Sequence, residues 1–156
     1  MPENAAAEEQ WHRTFATSLF NLTWDLLGKA DRTREDDDRM VHAAHASRFH
    51  WGEIGTSLEF ERGEWQISRV YAVLNRPEPA LVHAKRCLAI CEENGIGDFD
   101  IAFAYETMAR AYAVVGDAEK TESYVDLGMR AANRIEDEGN RTYYLSELAG
   151  VKEMLS

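Results

Sequence analysis

Apolar residues recur at three- and four-residue intervals along almost the whole chain, and no alternating run of β-branched residues lies between turn clusters. That period predicts helices. The first runs from about Glu8 to Leu27, with Trp11, Phe15 and Leu22 on one side, Phe20, Trp24 and Leu27 on another, and Gly28 as a left-handed residue to end it. Thr33 stands three before Asp36, a capping-box spacing that starts the second helix. Asp36, Asp37 and Asp38 then fall in its first turn, where the helix dipole favours negative charge, so the acidic run has a structural role. It lacks the glycine-containing turn of a calcium loop. Gly55 ends helix two, and Thr56 with Glu59 caps helix three. Asn75-Arg76-Pro77 closes the third helix and opens the fourth with proline at its first position. Asn94 to Asp98, Gly116-Asp117 and Gly139-Asn140 supply the remaining joints. The expected fold is all-α, about seven helices in a single domain over 1–156. Helix pairs fall at roughly 8–55, 56–94 and 98–135, followed by a capping helix at 140–155.

Composition agrees with a globular domain: 45% of the 156 residues are hydrophobic and 29% charged, enough to bury a core without disulfides. Twenty-eight acidic against 17 basic residues give a net charge of −11, which argues against nucleic acid or an anionic membrane as the partner. The chain has neither the basic start and apolar run of a secretory leader nor an apolar stretch of membrane-helix length, so a cytoplasmic location is expected. Cys87 and Cys91 lie four apart in a helical pattern, too poorly placed for a disulfide, and read as reduced core thiols. As metal ligands they supply two of the four that zinc takes.

The segment from Ser68 to Leu74 recurs as Ala109 to Val115, a shift of 41 residues. Ile67, Val70, Tyr71 and Leu74 carry the spacing of one helix face, and Met108, Ala111, Tyr112 and Val115 repeat it, so all are expected at the core. A tight turn follows each copy, then a second amphipathic helix. Here the chain resembles the tetratricopeptide-repeat family. Ser68 with Tyr71 and Ala109 with Tyr112 supply its small residue three before a tyrosine. Gly116 supplies its turn glycine, which Asn75 approximates, and Ala80 one of its second-helix alanines. Thr121, Cys87 and Gly128 replace the others, and Glu64, Tyr105, Glu92 and Asn133 stand where the family has its early tryptophan and closing proline.

The resemblance implies a right-handed α-solenoid of stacked antiparallel helix pairs whose first helices line a concave groove. Arg62, Trp65, Gln66 and Arg69 would line it from one repeat, and Phe103, Glu106, Thr107 and Arg110 from the next. Arg69 and Arg110 would then lie side by side, either to read a carboxylate or phosphate or to pair with neighbours such as Glu106. Trp65 is either an apolar anchor in the groove or buried against a terminal helix. The function implied is a binding or adaptor module for a protein or peptide segment or a small anionic ligand, with no cofactor. A different class is a metal- or histidine-dependent enzyme built on helix two, where His42 and His45 share a face, as do His50 and Glu53. His42 and Glu53 are roughly 16 Å apart along the axis, so one ion cannot use both. A third reading is a structural homo-oligomer, motivated by four Trp, six Tyr and six Phe. The Gly-x-Ser-x-Gly elbow, the phosphate loop and the dinucleotide fingerprint are absent from the sequence.

Overall fold

A computed structural model describes residues 2–155, and side chains from residue 4. Among the described residues the fold is all-α. The helices are α1 (Pro2–Leu27), α2 (Arg34–Ile54), α3 (Ser57–Val73), α4 (Pro77–Glu93), α5 (Asp98–Val115), α6 (Ala118–Ala132) and α7 (Glu138–Glu153). Caps set most of these limits. The Asp36 N–H donates to Thr33 Oγ1 at 3.1 Å, and the Thr33 N–H donates to Asp36 Oδ2 at 3.0 Å, a closed capping box. The Glu59 carboxylate accepts from the Thr56 N–H at 3.3 Å.

The turns that end α3 and α5 are the same turn. Asn75 (φ 56°) and Gly116 (φ 93°) are both left-handed. The Arg76 N–H donates to Tyr71 O at 2.9 Å and the Asp117 N–H to Tyr112 O at 3.0 Å, the six-to-one bond of a Schellman end. The 41-residue shift therefore holds at the level of single hydrogen bonds. It continues to the start of α7, which follows the starts of α3 and α5 at nearly the same interval.

Two expected joints differ. Gly28 is not left-handed. The Arg32 guanidinium instead donates to the carbonyls of Leu26, Leu27 and Lys29 (3.4, 3.3 and 3.0 Å), so a side chain caps α1 where a glycine was expected to. Gly139 and Asn140 do not join α6 to α7. The Asp137 carboxylate accepts from the Asn140 N–H at 2.8 Å, which starts α7 at Glu138 and puts both residues in its first turn. Helix α1 also begins ahead of Glu8.

Each odd helix packs on the even helix after it, and each even helix on the next odd one. The odd helices also touch one another, α1 on α3, α3 on α5 and α5 on α7, whereas among the described residues the even ones do not. The odd helices thus form one continuous face. Small residues sit fully buried between the layers: Ser68, Ala80 and Ala84 in one pair, Ala109 and Thr121 in the next. Ile67 and Met108 are core as expected, but Tyr71, Tyr112 and Leu74 are half-buried and Val115 is exposed, because the stack leaves the ends of α3 and α5 uncovered.

Candidate functional site

The odd-helix face divides into two parts. At the N-terminal ends of α3 and α5 lies a pocket of about 580 Å³ reached by all four odd helices. Phe20 and Trp24 come from α1, Arg62 and Trp65 from α3, Phe99 and Asp100 from α5, Asn140 and Tyr143 from α7. Trp65 meets Trp24 edge-on at 5.7 Å between ring centroids and stacks on Phe103 at 4.6 Å. Phe103 is buried beneath this floor. The Arg62 guanidinium donates to both Asp100 oxygens, at 2.8 and 3.0 Å. Burial pushes the Asp100 carboxyl up, but the Arg62 guanidinium and a hydrogen bond from Glu61 together hold the group below its ordinary range. Gln66 is not in the groove: it is fully buried and its Nε2 donates to Phe20 O at 2.9 Å, tying α3 to α1.

Further along α3 and α5 the two repeated arginines converge as the shift requires, but on carboxylates of the chain itself. Arg110 donates to the fully buried Glu106 (Nη2 to Oε1, 2.6 Å; Nε to Oε1, 2.7 Å). Arg69 Nη2 lies 3.4 Å from Glu106 Oε2, and Glu147 of α7 bridges both guanidiniums at 3.4 and 3.5 Å. Two cations face two anions, which cancels the field an anionic ligand needs. Of the two readings of this pair, the geometry is that of internal pairing, with Glu106 as the shared partner. Glu147, far away in sequence, is the partner that residue spacing gave no sign of.

The helix-two histidines do not converge. His42 is exposed, as is Glu53. His45 Nε2 lies 2.8 Å from the Tyr71 hydroxyl, and its ring centroid is 5.5 Å from that of His83. Burial and the neighbouring His83 push the His45 pKa below its ordinary value, keeping it neutral at pH 7. His50 faces the other way, its Nδ1 2.8 Å from His12 Nδ1 on α1. A site built from His42, His45, His50 and Glu53 is therefore not assembled.

Behind the Arg62–Asp100 wall is a group that sequence reading did not find. Glu61 of α3 and Cys87 and Cys91 of α4 are fully buried free side chains, with one donor atom from each lying within 4.8 Å of the others. The Cys91 thiol donates to Glu61 Oε2 at 3.0 Å, while Glu61 Oε1 has no hydrogen-bond partner. Burial, then the Asp100 carboxylate beside it, raises the Glu61 pKa far above the carboxylate range; its hydrogen bond to Cys91 and then burial push the Cys87 thiol up. Among the described residues this is the single grouping of three or more His, Cys, Asp or Glu side chains with metal-ligand spacing. The i, i+4 cysteine spacing is its one signal in the sequence; the acid arrives from another helix, 30 residues away.

No protein-family model matches the chain, and neither a curated protein nor a solved structure shows significant similarity to it. No described helix is long and apolar enough to cross a membrane.

Proposed function

We propose that the chain is a tetratricopeptide-repeat-like binding module that takes a protein segment on its odd-helix face, seating a lysine or arginine side chain of that segment in the aromatic pocket. The observation that carries the reading is the pocket itself, assembled by α1, α3, α5 and α7 together. Its size falls within the roughly 300–1,000 Å³ of ligand clefts. Aromatic faces attract cations, and the pocket lining adds Asp98 and Asp100 against Arg62 alone, one excess negative charge. The net charge of −11 favours encounter with a basic partner. A small anionic ligand has less support, because every groove guanidinium named above already faces a carboxylate.

Tryptophan emission of a Trp11→Phe, Trp51→Phe variant, which leaves Trp24 and Trp65 as its two indoles, tests the reading directly. Lysine- or arginine-rich peptides should perturb it and glutamate-rich ones should not, with binding weakened by salt. Tyr143→Ala should weaken binding by on the order of 1 kcal/mol, the scale of a cation–π contact. Equal indifference to peptides of both charges would remove this function.

A further inference from the structure

We propose that Cys87, Cys91 and Glu61 form a binding site for a thiophilic divalent cation of the zinc class. The site is independent of the peptide-binding reading.

The geometry starts from α4. Residues four apart project from one helix face, so both thiols point at the same neighbour, and that neighbour is the Glu61 end of α3. A tetrahedral ion with metal–sulfur bonds of about 2.3 Å and metal–oxygen bonds of about 2.0 Å needs ligand atoms about 3.5–3.8 Å apart. Here the three atoms lie within 4.8 Å of one another, and the sulfur–oxygen edge between Cys91 and Glu61 is 3.0 Å. Glu61 Oε1 makes no close hydrogen bond: the Arg62 Nε stands 4.0 Å away and the Asp100 carboxyl lies beside it, so this oxygen is free to turn to an ion. Asp100, held by Arg62, stands beside Glu61 on the pocket side.

The fold does not ask for this chemistry. At the 41-residue shift, Glu61, Cys87 and Cys91 correspond to Ala102, Gly128 and Ala132, which are also buried. One repeat later these small residues and the ring of Tyr144 from α7 fill the same inter-helix space without a carboxyl or a thiol. A carboxyl and two thiols there have a use other than packing. The donor set decides the class of ion, since two thiolates select zinc-like ions over calcium or magnesium. On binding, each ligand gives its proton to solvent, and the three negative charges offset the dication with one to spare, next to the Arg62 guanidinium.

The test uses the full chain, stripped with a chelator under a non-thiol reductant and titrated with Co²⁺. One equivalent should produce the intense near-ultraviolet thiolate-to-cobalt absorption with tetrahedral visible bands, and Zn²⁺ should bleach both. Cys91→Ala should abolish the near-ultraviolet band, and Glu61→Gln should weaken the affinity tenfold or more. If a variant fails to fold, the wild-type titration decides by itself. Folded, fully reduced protein that gives no thiolate-to-cobalt band at stoichiometric Co²⁺ overturns the site. Weak octahedral bands alone would overturn it too, because they report surface carboxylates.

Discussion

The helix pairs α3/α4 and α5/α6 share a turn, a register and their small interior residues, and they differ in what fills one interior space. In α5/α6 the space is apolar and closed from outside. Tyr144 of α7 enters it fully buried, and its hydroxyl donates to Ala102 O at 2.8 Å. Gly128 leaves room for that ring: a Cβ there would stand 2.6 Å from the Tyr144 oxygen. In α3/α4 the ring one repeat earlier is Phe103, which lies on Trp65 and has no hydroxyl to offer. The space is left to Glu61, Cys87 and Cys91. Burying a carboxyl costs several kcal/mol unless it is neutralised or paired, so the second pair shows the packing solution and the first departs from it. The departure lies directly behind the pocket on the odd-helix face.

The largest effect should come from emptying the packed version. Tyr144→Ala removes a fully buried ring and is expected to destabilise the chain by about 3–5 kcal/mol in a denaturant titration. Gly128→Ala should cost roughly 1–3 kcal/mol by forcing that ring aside, whereas Cys87→Ala, one repeat earlier, removes an atom and should cost less. Equal costs for the Gly128 and Cys87 variants would remove the contrast between the two spaces.

A second contrast lies between the repeated arginines. Arg110 makes the short bonds to Glu106, and Arg69 stands off at 3.4 Å. Arg110→Ala leaves a fully buried carboxylate short of its main partner and should cost about 3 kcal/mol. Arg69→Ala leaves the Arg110 bonds in place and should cost about 1 kcal/mol. Urea midpoints of the two variants measure the difference, and a larger loss at Arg69 would reverse the assignment of roles.

Local signals were legible in the sequence where the physics is local. Thr33, Thr56 and Gly116 cap or end helices through bonds to residues within five positions, and the repeat predicted which residues of α3 and α5 correspond. Where a long-range partner decided the outcome, reading failed. Gly28 lost its left-handed role to Arg32, and while the pairing of Arg69 and Arg110 with Glu106 was one of the two readings of that pair, the second carboxylate, Glu147 of α7, had no local signal. Trp65 belongs both to the pocket wall and to the floor above Phe103, so neither of its two readings alone described it. Periodicity placed the histidines of α2 on faces, but their partners His12, Tyr71 and His83 come from three other helices. Glu61 was visible as an acid and the cysteines as a helical pair. That they meet depends on how α3 packs on α4, which no spacing within one helix encodes.

The smallest expected effect separates the two spaces by pH. In metal-free protein the folded-state pKa of Glu61 is raised above its ordinary 4.5, so above that pH the native chain holds a proton that the unfolded chain has lost. Stability should therefore fall as pH rises, by at most about 1.4 kcal/mol per pH unit. His45 acts in the opposite sense: its pKa is lowered from 6.5, so its contribution is complete once the pH is above that value. Asp100, lowered from 3.8, has finished contributing well before neutrality. Between pH 7 and 8.5 Glu61 pulls stability down as pH rises. Cys91 opposes it, its thiol held below its ordinary 9.0 by its hydrogen bonds to Cys87 and Glu61, while Cys87 adds to the Glu61 sign only above 9.0. Glu61→Gln keeps the shape and removes the carboxyl titration, so from pH 7 to 8.5 its stability should fall less than that of wild type. The positions equivalent to Glu61, Cys87 and Cys91 in α5/α6 hold no titratable group and predict no slope of their own. Urea titrations of both proteins at the two pH values, with chelator present, measure the difference; parallel stabilities would mean that Glu61 is not held protonated in the fold.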